Sequence, residues 1–329
     1  MTHVVSFINL KGGVAKTTTL VQLAETLAFI KGKRVLVLDL DPQTNATIAL
    51  MGETRWEAAD EAGQTVAQLF LDQIHDTHIF DVTRAIVRGV SNLNRITIPQ
   101  GMELGPEVTY PRIDLLPSSI RLIEAQDRMA DISTRSHYTV SPMTVIHRAL
   151  EQRFSAYDYV LIDCPPNLGY ITQNGLEVSD FYLVPTIPDK LSTYGIPQIV
   201  KTISGLQRAR NLKIRCMGVL VTKYQTISGI HKRGLEDLPA LLERAFEGSG
   251  QAPAPLFEVR MPQANATAEA MDFDRSPTNF RDKYGRGKSG SFSNLYELPM
   301  LLADEFIHRL DESGDQGEAE DQSAVIPAS

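Results

Sequence analysis

The run Lys11-Gly12-Gly13-Val14-Ala15-Lys16-Thr17-Thr18 places two lysines, two glycines and two threonines in one short stretch near the N-terminus. Glycines at such a turn let backbone N–H groups come close to an anion, and the start of a following helix adds a dipole that favours negative charge. In a phosphate-binding loop of this kind Lys16 reaches the β- and γ-phosphates of a nucleotide, and the Thr17 hydroxyl ligates Mg²⁺. The run departs twice from the general G-x-x-x-x-G-K-[ST] pattern: a lysine stands at Lys11, and Ala15 takes the place of the last glycine. Should that position need a positive φ, alanine costs about 1 kcal/mol there.

Two groups of carboxylates could complete such a site. Asp39-Leu40-Asp41-Pro42-Gln43 closes the apolar run RVLVLDLD, and Tyr159-Val160-Leu161-Ile162-Asp163 is a second apolar run that ends in an acid. Acids at the carboxyl edge of a sheet, beside a phosphate loop, can hold Mg²⁺ through water or orient an attacking water. Alone, the first pair would read as an Asp-capped turn; its distance from the phosphate loop gives it chemical meaning. Cys164 follows Asp163 directly and reads as a small buried residue, not a reactive thiol. It shares no metal or disulfide spacing with Cys216, the other cysteine, which suits a reducing cytoplasm.

These residues need a frame to position them. His3–Asn9 is an apolar run leading into the glycine turn, apolar residues recur at helical spacing from Lys16, and Gly32-Lys33 separates that helix from the strand RVLVLDLD. Strand, loop, helix, strand over this distance is a βαβ unit, which requires parallel strands. Further strands are expected at Ile113–Leu116, Tyr159–Asp163, Asp180–Pro185 and Cys216–Thr222. Helices are expected at Ser118–Ala130, Val145–Phe154, Ser192–Arg210, Leu235–Phe246 and Leu295–Leu310. The fold class is α/β: a doubly wound, mostly parallel sheet with flanking helices. Residues 1–312 read as one domain with an elaborated segment at about 52–111, and residues 313–329 as an acidic, disordered tail.

Composition is that of an ordinary globular chain, 43% hydrophobic and 22% charged over 329 residues. No apolar run is long enough to cross a bilayer, and MTHVVSFINL has no basic segment or cleavage site ahead of its strand. The net charge of −8 is concentrated: the terminal stretch DESGDQGEAEDQSAVIPAS holds six acids and no base.

The run KGGVAKTTT resembles the deviant Walker A motif, KGGxxK[ST], of the ParA/MinD ATPases, on their ParA (Soj-like) partition branch. Asp39–Gln43 resembles that family's switch I motif, and Cys164–Gly169 its switch II. Pro188–Ser192, Thr222-Lys223, Met261-Pro262 and Ala268-Glu269-Ala270 are also similar to the family. The likeness runs from His3 to about Leu310 and is thin over Gly52–Pro111. It implies ATP and Mg²⁺ as cofactors, with Lys11 reaching across a homodimer to the partner's phosphates. It also implies that Asp41 positions the attacking water, Asp39 supports the Mg²⁺ shell with Thr17, Asp41 and Asp163, and Lys223 and Pro262 lie on the adenine side. Non-specific DNA and a ParB-like stimulating partner are the implied macromolecular partners, with partition or positioning of a plasmid, chromosome or protein cargo as the task.

Two basic islands fit a DNA backbone footprint on an otherwise acidic chain. Lys201, Arg208, Arg210, Lys213, Arg215, Lys223, Lys232 and Arg233 fall between Lys201 and Leu235 with no acid among them. Arg275, Arg281, Lys283, Arg286 and Lys288 form the second, against the single acid Asp282. Most such runs are solvated faces, the plainer alternative. A MinD-like membrane ATPase would need a basic amphipathic C-terminal helix, whereas this acidic tail would be repelled by an anionic membrane. A nucleotide-binding adaptor with little turnover is opposed by the intact Lys16, Asp41 and Asp163. A cytoplasmic, nucleoid-associated ATPase is the expectation.

Overall fold

In the computed structural model, residues 1–95, 113–135, 140–285 and 295–323 are described. The chain opens with β1 (His3–Phe7), α1 (Lys16–Phe29) and β2 (Val35–Asp39), the βαβ unit expected from the sequence. α2 (Asn45–Met51) follows, and the elaborated segment then contributes α3 (Glu53–Glu61), α4 (Val66–His75), α5 (Val82–Ala85) and a 3₁₀ turn at Asn92–Arg95. Then come β3 (Ile113–Leu116), α6 (Leu122–Arg135), α7 (Val145–Phe154), β4 (Tyr159–Asp163), α8 (Tyr170–Glu177) and β5 (Phe181–Thr186). The last part holds α9 (Lys190–Thr193), α10 (Ile196–Arg210), β6 (Arg215–Val221), α11 (Gly229–Phe246), α12 (Asn265–Glu269), α13 (Phe280–Tyr284) and α14 (Glu297–Ser323).

The six strands lie in the order β3-β2-β4-β1-β5-β6, and every pairing is parallel. The connection after β1 runs to β2 on one side and that after β4 runs to β5 on the other, so the loops after these two adjacent strands part at a topological switch point on the carboxyl edge. Strand residues alternate between two cores. Val5, Phe7, Val35, Val37 and Leu161 pack against α1, with Leu302 and Phe306 of α14 in the same core. Val4, Leu36, Leu38, Val160 and Ile162 pack against α4, α6, α7 and α8 on the other face, which α10 and α11 continue beside β5 and β6. Burial on both faces explains why these strands are near-continuous apolar runs.

Several boundaries differ from expectation for local reasons. The single helix expected over Ser192–Arg210 is two: α9 is capped by Asp189, and α10 begins after Gly195 with Pro197 in its first turn. Ser118 lies in the loop before α6, where its side chain and amide bond to other segments. The elaborated segment is largely helical, and α4, with Phe70 and Ile74 fully buried, packs on α6 as part of the main core. The part of that segment at 96–111 falls outside the described residues. So do Arg286 and Lys288 of the second basic island. α14 runs from Glu297 to Ser323 and takes in part of the acidic stretch, whose Glu, Gln and Ala residues are good helix formers. Among the described residues, no helix is long and apolar enough to cross a membrane.

Candidate nucleotide site

The loop after β1 and the start of α1 form one wall of a cleft of about 460 Å³, lined by all eight residues from Lys11 to Thr18. Gly13 sits at φ 77°, a left-handed conformation, and no atom lies within 4 Å of where a Cβ on Gly12 or Gly13 would project. Side chains there would therefore fill the cleft, not the core. Ala15, at φ 61° and ψ 28°, precedes α1 and makes no side-chain cap, so the helix's first N–H groups are not satisfied by capping. The conditional drawn from the sequence is met: this position does use a positive φ. Just past β6, Thr222 Oγ1 donates to the carbonyl of Val14 at 2.7 Å and ties the loop to the end of that strand.

Lys16 and Thr17 converge on one acid. Thr17 Oγ1 donates to Asp163 Oδ2 at 2.6 Å, and Lys16 Nζ lies 3.3 Å from Asp163 Oδ1 and 3.8 Å from Asp41 Oδ2. Burial works to lower the Lys16 pKa, but Asp163 and then Asp41 outweigh it, and the net shift is upward. Burial pushes the Asp41 carboxyl up, against a hydrogen bond from the Gln43 amide and the charge of Lys16. The Cys164 thiol beside this cluster is fully buried and pushed up to about 12, chiefly by burial, consistent with an inert packing residue.

Lys11 behaves differently from Lys16. Its Nζ donates to Ser192 Oγ at 2.9 Å and lies 3.5 Å from Asp189 Oδ1, while its amide donates to Asn9 Oδ1. The two lysines of one loop are thus assigned to separate partners, Lys16 to the interior acids and Lys11 to the α9 end.

Other residues named from the sequence divide into three groups. Lys223 lines the cleft, with a left-handed φ of 48°, whereas Pro262 does not; it pairs with Tyr224 in an isolated bridge just behind. Asp39 also stands back from the cleft. It is fully buried, opposite Asp163 in the β2–β4 register, and its oxygens accept from the Thr47 amide and hydroxyl and from the Asp41 amide. Burial and then the Asp163 charge push its carboxyl up to about 8. Its hydrogen bonds hold the loop that carries Asp41. Sequence reasoning missed Gln43, Asn45, Ile48, Ala49, Pro166, Ala268 and Met271, which line the rest of the cleft. Gln43, Pro166 and Ala268 lay in segments noted for their likeness to the family, whereas Asn45, Ile48, Ala49 and Met271 did not.

The oxygen donors present suit Mg²⁺, which is typically held by one or two carboxylates together with the phosphates of its nucleotide. Thr17, Asp41 and Asp163 supply such a set. Among the described residues, no group of three or more His, Cys, Asp or Glu could hold a metal without phosphate.

The basic islands are only partly available. Lys201, Arg208, Lys213, Lys232 and Arg233 are exposed. Arg210 is ion-paired to Glu177 at 3.0 Å, and Lys283 is buried with its Nζ 2.6 Å from Glu25 and 2.8 Å from Asn92 Oδ1. Lys283 is withdrawn from a DNA footprint by burial with its partner, while Arg210 is half-buried with its charge already matched by Glu177. Arg215 and Arg281 are exposed but rest over the Phe181 and Tyr296 rings.

The sequence of this chain matches the AAA domain family over residues 2–216. The sporulation initiation inhibitor protein Soj of Bacillus subtilis is 32% identical over 72% of this chain and 79% of Soj. Cobyrinic acid a,c-diamide synthase from Mycobacterium smegmatis, solved with bound ADP and magnesium, is similar with a TM-score of 0.59 and 27% identity, over 81% of this chain and 89% of that one. The structure of pNOB8 ParA bound to nonspecific DNA shares the fold, with a TM-score of 0.61 and 19% identity over 95% of this chain and 99% of that one. With the phosphate loop, its two acids and the all-parallel sheet in place, the chain belongs to the ParA/MinD family of P-loop ATPases, on its Soj-like branch.

Proposed function

We propose that the chain is a Mg²⁺-dependent ATP hydrolase that closes into a homodimer on ATP, binds DNA without sequence preference and drives partition or positioning of a cargo. The observation that carries this reading is the division of labour between Lys11 and Lys16. Lys16 and Thr17 line the cleft with Asp41 and bond to the fully buried Asp163 behind it, which suits binding and hydrolysis within a protomer. The Lys11 ammonium rests on Asp189 and Ser192, its side chain 36% exposed, which suits a cation delivered to a second copy's phosphates. A cation supplied in trans stabilises charge on the transferring phosphoryl group, so turnover would depend on dimer closure.

Bound Mg²⁺ would neutralise phosphate charge in this cleft. The chain's own part is positional: glycine-loop amides and the α1 dipole hold phosphate oxygens, Lys16 holds the outer phosphates, and Asp41 orients water. Hydrolysis would be slow alone and stimulated by a ParB-like partner, with DNA released as the ATP state is lost. The exposed bases Lys201, Arg208 and Lys213 support the DNA part, and a DNA complex in a protein of the same fold is consistent with it.

The test is binding to non-specific duplex DNA with ATP, with ADP and without nucleotide, across a salt series, for the natural chain and Lys11→Ala. Salt-sensitive binding that needs ATP and is lost in the variant is expected. If DNA is bound in no state, the positioning surface must lie elsewhere, and the hydrolase reading is judged separately by phosphate release.

A further inference from the structure

Behind the cleft, four buried residues close a ring of hydrogen bonds that touches no cleft wall except through Asp41. Asp39 Oδ1 accepts from the Asp41 amide at 3.1 Å, and Asp39 Oδ2 accepts from the Thr47 hydroxyl at 2.7 Å. The same Thr47 oxygen accepts from the Ser118 amide at 2.9 Å. Ser118 Oγ closes the ring by donating to the Asp41 carbonyl at 2.7 Å. Asp39, Thr47 and Ser118 are fully buried. The ring joins the end of β2 and the following α2 to the loop between β3 and α6, 71 positions beyond Thr47.

Ser118 is also gripped from outside. Trp56 Nε1 of α3 donates to its carbonyl at 3.0 Å. Two turns further along the same loop and helix, Gln126 Oε1 accepts from Asn167 Nδ2, in the loop that follows β4 and Asp163.

We infer that Ser118 is a positioning residue for ATP hydrolysis: through this ring it fixes the backbone of Asp41, so that the Asp41 carboxylate faces Lys16 and the reacting phosphate. The inference rests on the reading of Asp41 as the water-positioning acid. Both polar ends of the Asp41 peptide unit are held by the ring, its N–H by Asp39 and its carbonyl by Ser118. The carboxylate itself accepts only from the Gln43 amide among hydrogen bonds within its own loop, and otherwise faces Lys16. Its aim is thus set by the backbone beneath it. A shift of a few tenths of an ångström there would misdirect a water while leaving the phosphate-binding amides of the glycine loop untouched. The elaborated segment gains a role in the same way, since Trp56 supports the ring from α3.

The experiment compares steady-state hydrolysis and thermal unfolding of the full chain with those of Ser118→Ala, Thr47→Val, Thr47→Ser and Asp41→Ala. Ser118→Ala should fold, because the Asp41 carbonyl keeps a second donor in the Thr44 amide. Its kcat should fall about threefold to tenfold while KM for ATP stays within about twofold, the signature of an interaction made in the transition state alone. Thr47→Val should lower kcat in the same way, and Thr47→Ser, which retains the hydroxyl, should recover it. Adding Ser118→Ala to Asp41→Ala should cost nothing more, since Ser118 acts through Asp41. If Asp41→Ala loses hydrolysis and Ser118→Ala does not, the ring is mere packing and the inference is overturned. A Ser118→Ala variant whose KM, kcat and melting temperature all worsen together would overturn it too. If Asp41→Ala hydrolyses ATP at the natural rate, the reading of Asp41 fails first and this inference with it.

Discussion

Ala15 carries a backbone conformation that alanine resists, φ 61° and ψ 28°, at the point where the phosphate loop enters α1. A Cβ in the left-handed region crowds the following carbonyl, at a cost of about 1 kcal/mol. The loop keeps this geometry because Thr222 anchors the carbonyl before it and the Thr19 amide donates to the carbonyl of Ala15 itself. Ala15→Gly should therefore stabilise the fold, by about 0.5–1 kcal/mol in chemical denaturation, part of the relief being offset by the greater freedom of glycine in the unfolded chain. A destabilised variant would mean that the Ala15 methyl makes contacts worth more than the strain. ATP affinity should change little, since the amides that face phosphate are already held in place. The same residue shows what a local motif can disclose. Lys11 to Thr18 is contiguous, so its chemistry and its odd alanine were both legible, while the positive φ that makes the alanine costly stood only as a condition until the structure met it.

At the scale of elements, legibility falls with the distance in sequence between partners. Asp72 of α4 shows the energetics. Its buried carboxylate accepts from Thr77 Oγ1, Gln68 Nε2 and the amides of Ile79 and Phe80, at 2.6 to 2.8 Å, and so fastens the loop after α4. Burial alone would raise its pKa, but these four donors together hold it below the ordinary value of 3.8. A carboxylate depressed in the folded state adds stability that is present above the unfolded value, near pH 4, and is lost as pH falls through the folded value. Asp72→Asn should cost about 1–3 kcal/mol at pH 7, and the difference from the natural chain should shrink below pH 4. An equal cost at both pH values would show that shape, not charge, matters there. None of these bonds was read from the sequence, although all lie within eight residues, because Gly52–Pro111 carries mixed signals. Lys283 failed to be read for the opposite reason. Its partner Glu25 lies 258 positions away on the far side of α1, and only packing of α13 brings them together. A lysine in a basic run is ordinarily solvated, so composition pointed outward where the fold points inward. The cleft follows the same rule: the strand-end acids were legible, whereas Ile48, Ala49, Ala268 and Met271 enter it by tertiary approach of α2 and α12. Replacing Lys283 with methionine would leave Glu25 without its cation and should cost about 3–5 kcal/mol, detectable as a lower melting temperature before any change in DNA affinity.

For the whole molecule, the question is where a net charge of −8 leaves room for a polyanion. The strands run from the amino edge, where β6 starts at Arg215, to the carboxyl edge, where the cleft lies. Arg208, Lys213 and Arg215 therefore gather at the edge remote from the nucleotide, whereas Lys232 and Arg233 sit in the first turns of α11, past the carboxyl end of β6. A strand of this length spans about 20 Å, so the two groups cannot meet the same few phosphates. Their surroundings differ as well. Glu236 and Asp237 follow Lys232 and Arg233 by one helical turn and are exposed beside them, which partly cancels their field. Arg208 and Lys213 have no acid between them or for several residues on either side. On the proposed DNA-binding reading, the α10–β6 corner is thus the better phosphate surface. Arg208→Ala with Lys213→Ala should weaken ATP-dependent binding to any duplex sequence, and should flatten the dependence of log affinity on log salt by about 1.8, two counterions' worth. Lys232→Ala with Arg233→Ala should flatten it by less. The reverse ranking would move the DNA to the cleft side of the molecule, where nucleotide state could gate it directly. Equal and negligible effects from both pairs would remove these islands from the interface altogether.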